Sequence, residues 1–301
     1  MTAADTAQGA PAHDAAGAPP LDVQRGAGNW SKWTQPLDPI HEAAADWRQA
    51  LAGVERPWLC WNVSPRWCLL QQRLVQAVGW TPVVGYDPRN GAPPLADGAL
   101  LVDFNARLQL PIMYYMFVLD FVHLFAPRLA FWHADLLVRL PVLRDVAARF
   151  DALADGEMSA VLDVGGRRNL LFPSRHRYWE LLGCTTRGAS ESMFRTGTGW
   201  WRHFNRHPNT PADPAERARR DKIFYDFGYG IMYWKRRCGG RVHDIAQRPL
   251  LEGHCTSINR PDYKRVGPEG PTRNLGAEID LNYDIAEVAR RLEIDHLLDP
   301  A

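Results

Sequence analysis

Between residues 58 and 135 the sequence alternates short apolar runs with stretches of helical periodicity, and this alternation constrains the fold more than any other feature. Runs at residues 58–62, 81–86 and 99–103 have the length and composition of buried strands. Between the first two runs, apolar residues recur at helical spacing: Trp67, Leu70, Leu74 and Val78. Strands separated by helices predict an α/β fold, a mainly parallel central sheet flanked by helices.

The longest apolar run, residues 108–125, is interrupted by Gln109, Asp120 and His123. Because a carboxylate is costly to place in lipid, Asp120 favours a buried helix over a membrane span. The run therefore predicts a helix from about residue 110 to residue 125 and no transmembrane segment. Peripheral association with a membrane surface stays open.

Another apolar run begins at Arg128 and ends in His133 and Asp135. Because side chains two residues apart on a strand point to the same face, His133 and Asp135 could reach one divalent metal ion. Sheets of this kind bind ligands beyond the carboxyl ends of their strands. Asn62 and Asp103 also follow apolar runs, so the sequence predicts all four side chains at that edge of the sheet.

The two ends of the chain differ in composition from its middle. Residues 1–28 are mostly Ala, Gly, Pro, Asp and Gln, which predicts a disordered leader with neither a secretory signal nor a membrane span. Residues 29–265 then form one predicted domain. Residues 266–301 begin with a Pro- and Gly-rich linker, and Ile285, Val288, Ala289 and Leu292 follow at helical spacing. This spacing predicts a C-terminal helix that docks onto the domain.

The formal net charge of +1 conceals a basic block, since residues 167–265 contain 20 Lys and Arg against 9 Asp and Glu. Most of these cations are Arg, whose planar guanidinium suits phosphate and carboxylate groups. A solvated basic surface is the alternative interpretation. Because the chain as a whole is nearly neutral, we expect no nucleic-acid partner.

Five cysteines form no Cys-x-x-Cys pair, and their odd number prevents complete pairing within the chain. Unpaired thiols are typical of reducing compartments, so we expect a cytoplasmic protein.

An α/β half, followed by an apolar strand that ends in a metal-binding pair, resembles the glycosyltransferases of the GT-A fold. In that family an Asp-x-Asp motif, or a variant that contains His, holds a divalent metal against the diphosphate of a sugar nucleotide. His133-Ala-Asp135 matches such a variant. Many members supply a further His near the C-terminal end of the domain, and His254 follows a strand-like run at residues 241–245. Because imidazole prefers transition metals, two His ligands favour Mn²⁺ over Mg²⁺.

The resemblance also implies further site residues. Trp200 and Trp201 offer flat apolar faces on which a sugar could stack, although core packing is the alternative for both. An inverting transfer needs a carboxylate base, for which Asp226 is the first candidate and Glu191 the second. Asp226 could equally cap a helix. Asn62 would contact the base or ribose of the donor, as would Asp103.

These inferences imply a GT-A-like catalytic domain over residues 29–265. Its expected activity is metal-dependent transfer of a sugar from a nucleoside-diphosphate donor to a glycan or other hydroxyl acceptor. Inverting and retaining stereochemistry both stay open. Two alternatives remain: a metal-dependent hydrolase, in which the His/Asp group activates water, and a non-catalytic carbohydrate-binding or scaffold protein.

Overall fold

The computed structural model describes residues 37–62, 65–86, 93–104, 106–107, 118–164, 176–201, 204–223, 227–255 and 284–298. The predicted leader lies outside these residues, as do most of the predicted linker and residues 110–117 of the predicted long helix. No helix within the described ranges is both long and apolar enough to cross a lipid bilayer.

Seven strands of the described residues form one sheet, in the spatial order β3-β2-β1-β4-β6-β5-β7. In chain order they are β1 (Pro57–Trp61), β2 (Thr81–Tyr86), β3 (Leu100–Asp103), β4 (Arg128–Trp132), β5 (Glu157–Asp163), β6 (Arg177–Thr186) and β7 (Arg241–Ile245). The pairings are parallel except where β6 lies between β4 and β5 and runs antiparallel to both. The predicted mainly parallel α/β sheet is therefore confirmed.

Helices cover both faces of this sheet. They are α1 (Leu37–Ala50), α2 (Pro65–Ala77), α3 (Val122–Phe125), α4 (Leu140–Asp151), α5 (Arg187–Arg195), α6 (Pro214–Arg220), α7 (Tyr229–Arg237) and α8 (Ile285–Arg291). Because strand side chains alternate between faces, Leu59 and Trp61 of β1 join a core cluster with α1, α3, α5 and α7. Trp58 and Cys60 join the opposite cluster with α2, α4 and α8.

Three polar residues follow the carboxyl ends of parallel strands at a single edge of the sheet. Asn62 follows β1, Asp103 ends β3 and His133 follows β4. Because β6 runs in the opposite direction, its first residues lie at this same edge. Residues of β6 can therefore reach a site that the parallel strands build.

The pairing of β6 is irregular near this edge. On β5, Ala160 pairs with Gly183 and the next residue, Val161, pairs with Trp179, so residues 180–182 of β6 are skipped. The bulged segment stays attached to β4, because the backbone N–H of His133 donates to the carbonyl of Leu181 at 3.0 Å. Such bulges bend a strand and redirect its side chains. Here the redirected residues lie beside the end of β4.

The C-terminal helix α8 lies against the second core cluster. Ile285, Val288, Ala289 and Leu292 are at most 3% exposed, and they pack in the cluster that α2 and α4 also line. The helical spacing of these four residues is thus explained by one buried face.

Candidate metal centre

His133, Asp135 and His254 converge just beyond the end of β4. The Oδ1 atom of Asp135 lies 3.6 Å from Nδ1 of His133 and 3.4 Å from Nε2 of His254. Each side chain offers one ligand atom, and these atoms all lie within 4.8 Å of one another. Ligand atoms about 2.0–2.2 Å from a tetrahedral metal ion are about 3.3–3.6 Å apart, so the two shorter distances suit a shared ion.

Hydrogen bonds from α2 hold the turn after β4 in place. The buried side-chain amide of Gln71 donates to the carbonyl of His133 at 2.7 Å and to that of Leu136 at 2.8 Å. The backbone N–H of Leu136 donates to the carbonyl of His133 at 3.2 Å, which closes the turn. These bonds fix the backbone on which both ligands of the His-x-Asp pair stand.

His254 reaches the same place through a short antiparallel bridge between Leu136 and His254. The N–H of Cys255 donates to the carbonyl of Asp135 at 2.9 Å, and the N–H of Leu137 donates to that of Gly253 at 3.0 Å. A β-carbon on Gly253 would overlap the carbonyl of Leu137. The close approach that delivers His254 therefore requires glycine at position 253.

The bulge of β6 adds two residues to the cluster. Oε1 of Glu180 lies 3.6 Å from Nε2 of His133, and the Glu180 side chain is 12% exposed. The ring of Trp179 lies 5.0 Å from that of His254 and 5.8 Å from that of His133, nearly perpendicular to both. Sequence reasoning missed both residues. The available signal was a Glu within the otherwise apolar run 178–184, but its location depends on the direction of β6.

The cluster carries strong electrostatic coupling. Burial lowers the pKa of His133, but the carboxylates of Asp135 and Glu180 outweigh burial and raise that pKa to about 9. Burial raises the pKa of both carboxyl groups, but His133 and His254 beside Asp135, and His133 and Arg177 near Glu180, outweigh burial and hold both pKa values below their ordinary range. Two carboxylates thus face one imidazolium near neutral pH, and a metal ion that binds His133 must displace the proton from this ring.

The ligand set indicates a class of metal. Two imidazoles and one carboxylate suit first-row transition metals such as Mn²⁺, Fe²⁺, Co²⁺ and Zn²⁺, whereas Mg²⁺ and Ca²⁺ prefer oxygen ligands. Nε2 of His254 is buried and, among the described residues, makes no hydrogen bond of good geometry, although Oδ1 of Asp135 lies 3.4 Å away; this fits a metal-ligating nitrogen. The same ligand set also occurs in non-haem iron sites, so the residues do not single out one ion.

The two residues expected to contact nucleotide lie at the edge that carries the metal cluster. Asn62 is 1% exposed and follows β1, the strand next to β4, which places its backbone about 5 Å from that strand. Asp103 is half-buried on β3, three strands away from β4, or about 14 Å. Asn62 therefore lies nearer to the metal ligands than Asp103 does.

Trp200 and Trp201 lie in the core. They are 0% and 6% exposed, and the Trp200 ring packs edge-on against Phe131 with centroids 5.3 Å apart. Both rings thus pack against protein and leave no face on which a sugar could stack. Their position agrees with core packing, the alternative that the sequence left open.

Of the two candidate bases, only Glu191 lies among the described residues. Glu191 is exposed on α5, a helix that starts where β6 ends, at the sheet edge opposite the metal cluster. Asp226 lies outside the described residues. The structure thus brings together the three predicted metal ligands, and it adds Glu180 to them.

Comparisons of the chain with protein-family models, with curated proteins and with solved structures find no match.

Proposed function

We propose that this chain is a metal-dependent glycosyltransferase of the GT-A type, which moves a sugar from a nucleoside-diphosphate donor to a hydroxyl acceptor. The observation that carries the proposal is the convergence of His133, Asp135 and His254 at the carboxyl edge of a mainly parallel sheet. Ligands of such sheets bind at this edge. The resemblance implies the same arrangement, a strand that ends in metal ligands beside a nucleotide-binding half.

In this proposal His133, Asp135 and His254 hold the ion, which when bound neutralises charge on the departing diphosphate. Asn62, on the strand beside β4, contacts the base or ribose of the donor. Arg177 begins β6 at the same edge, where it pairs with Asp163 at 3.2 Å, and it adds a charged donor for phosphate oxygens.

The proton of the acceptor hydroxyl must pass to a base during an inverting transfer. Asp226 stays the candidate for this role, whereas Glu191 lies at the sheet edge opposite the metal cluster and is too far from it to act as the base. If Asp226 is not the base, a retaining transfer with front-face attack is the other stereochemical course.

Calorimetric titration of the full chain with UDP and GDP, and with their sugar conjugates, tests this proposal. Titrations in Mn²⁺ and in chelator should differ, because the diphosphate binds through the ion. We expect Asp135→Asn and His254→Ala to weaken Mn²⁺-dependent binding by about tenfold or more, as loss of one ligand does. The matched control is Asp145→Asn, an exposed carboxylate on α4 that should leave binding unchanged.

Other outcomes would separate the alternatives. Metal binding with no affinity for any nucleoside diphosphate would overturn the transferase proposal and favour the hydrolase. Binding of glycans without nucleotide or metal would favour the carbohydrate-binding scaffold.

A further inference from the structure

The bulge in β6 places the carboxylate of Glu180 beside His133, on the side of the ring away from Asp135. Regular pairing with β5 breaks at residues 180–182, while His133 stays hydrogen-bonded to Leu181. Bulges near functional sites commonly redirect a side chain. The side chain redirected here is Glu180, whose Oε1 lies 3.6 Å from Nε2 of His133.

The two ring nitrogens of His133 face different groups. Nδ1 faces Oδ1 of Asp135 at 3.6 Å, and that same oxygen lies 3.4 Å from His254. Nε2 faces Glu180 instead. A metal-bound imidazole is neutral, so one nitrogen binds the ion and the other carries the proton. Nδ1 is therefore the nitrogen placed to bind an ion that Asp135 and His254 share, which would leave the proton on Nε2.

We infer that Glu180 is a positioning residue for this site. Oε1 of Glu180 and Nε2 of His133 are 3.6 Å apart, slightly beyond hydrogen-bond distance, and a small shift on metal binding lets Oε1 accept from Nε2–H. That bond fixes the ring and its tautomer, with Nδ1 directed at the ion shared with Asp135 and His254. This inference rests on the metal site of the proposed function. Carboxylates that orient metal-binding histidines in this way raise the basicity of the ligand nitrogen.

Packing alone gives no reason for a carboxylate at position 180. The side chain is 12% exposed, and Oε2 is buried without a hydrogen-bond partner among the residues described. A buried carboxylate is costly unless it is paired, and an uncharged side chain of similar volume would fill the same space. The ionisable group nearest to this carboxylate is His133, and Arg177 makes a smaller electrostatic contribution.

Metal titration of the full chain tests the role of Glu180 without any assay of activity. We expect Glu180→Ala to weaken binding of Zn²⁺ or Mn²⁺ by about 10–100-fold. Glu180→Gln should bind metal more tightly than Glu180→Ala and less tightly than wild type, because its amide oxygen still accepts from Nε2–H but carries no charge to raise the basicity of Nδ1. The matched control is Glu157→Gln, which removes a carboxylate 3.0 Å from Nε2 of His243, outside the cluster, and should leave metal affinity unchanged.

Nitrogen-15 NMR of the imidazole rings in the Zn²⁺-loaded wild type gives a readout that needs no variant. We expect His133 with a proton on Nε2 and metal on Nδ1. In Glu180→Ala the His133 signals should lose this single tautomer. If Glu180→Ala does not fold, the wild-type tautomer decides the question.

The outcomes distinguish this inference from the function on which it rests. Equal metal affinity in wild type and Glu180→Ala, or a proton on Nδ1 in the wild type, would overturn the role of Glu180 alone. A wild-type chain that binds neither Zn²⁺ nor Mn²⁺ would overturn both proposals. Intact metal binding without nucleotide affinity would remove the transferase and leave Glu180 in its role.

Discussion

At the scale of single residues, the charge of a buried carboxyl group depends on whether the group next to it is a cation or a neutral hydrogen-bond donor. Asp135 and Glu180 face His133, which keeps the pKa of both carboxyl groups low. Asp120 is also buried, and its Oδ1 accepts a hydrogen bond from the backbone N–H of Trp200 at 2.8 Å. One neutral donor does not compensate for burial, which raises the pKa of Asp120 well above its ordinary value.

Asp120 therefore predicts a measurable pH dependence of stability. Above the ordinary pKa of 3.8 and below the raised one, the folded chain holds a proton that the unfolded chain has lost, so the free energy of unfolding falls as pH rises. Asp120→Asn removes this effect while keeping an oxygen for Trp200. We therefore expect the difference in melting temperature, variant minus wild type, to become more positive as the pH is raised from 4.5 to 8. A constant difference across that range would contradict the prediction, and Asp145→Asn gives the baseline.

The sequence and the resemblance it carries indicated three of the four ionisable residues in the cluster. His133 and Asp135 were predictable as neighbours because they are only two residues apart, although the structure places both in the turn after β4 and not on the strand itself. His254 was proposed from the resemblance, and the structure brings it to Asp135. Glu180 was not predictable, because its place depends on an antiparallel strand and on a bulge that local periodicity does not reveal.

At the scale of elements, β1 to β4 and β7 occupy runs that apolar patterning predicted, whereas β5 and β6 were missed. The length of β6 and its polar residues Arg177 and Glu180 obscure the pattern of a buried strand. The order of the strands in the sheet is a tertiary property, so sequence periodicity could predict strands without predicting their neighbours.

The bridge that carries His254 provides a test at this scale. Gly253→Ala places a methyl group against the carbonyl of Leu137 and within 3.0 Å of Leu292, so the bridge must shift. Because a metal site tolerates displacements of only about 0.5 Å, we expect metal affinity to fall by about tenfold or more. Isothermal titration with Mn²⁺ or Zn²⁺ measures the change.

The control for this variant is Gly240→Ala, whose added β-carbon would overlap the ring of Trp234 before the start of β7, at the opposite edge of the sheet. Both variants should be less stable than wild type, and only Gly253→Ala should lose metal affinity. An equal loss of metal affinity in the two variants would mean that the bridge at Gly253 does not position His254 for metal binding.

At the scale of the whole molecule, α8 joins elements that are distant in sequence. Arg139, at the start of α4, donates to Glu252 at 3.0 Å, to Glu293 at 2.8 Å and to the carbonyl of Arg291 at 2.8 Å. The segment that leads to His254 is thus held between α4 and the C-terminal helix. Beneath it, Leu292 is buried and packs in the second core cluster.

We expect Leu292→Ala to lower the free energy of unfolding by about 2–5 kcal/mol, because it removes buried methyl groups and leaves a cavity. Leu251→Ala is the matched control, since Leu251 is 48% exposed in the adjacent segment. Exposed substitutions of this kind usually change stability by within about 0.5 kcal/mol. Urea denaturation of both variants decides the matter. Similar midpoints for the two would show that α8 contributes little to the core.

The two segments that supply the ligands meet only when β4 and the region after β7 have both assembled. A denatured chain offers no such constellation, so an ion that binds there binds the native chain alone. By mass action, a free ion concentration of one hundred times Kd would add about 2.7 kcal/mol to folding. A chain loaded with metal would then open less often and be cleaved more slowly by a protease than the metal-free chain, apart from any chemistry it performs.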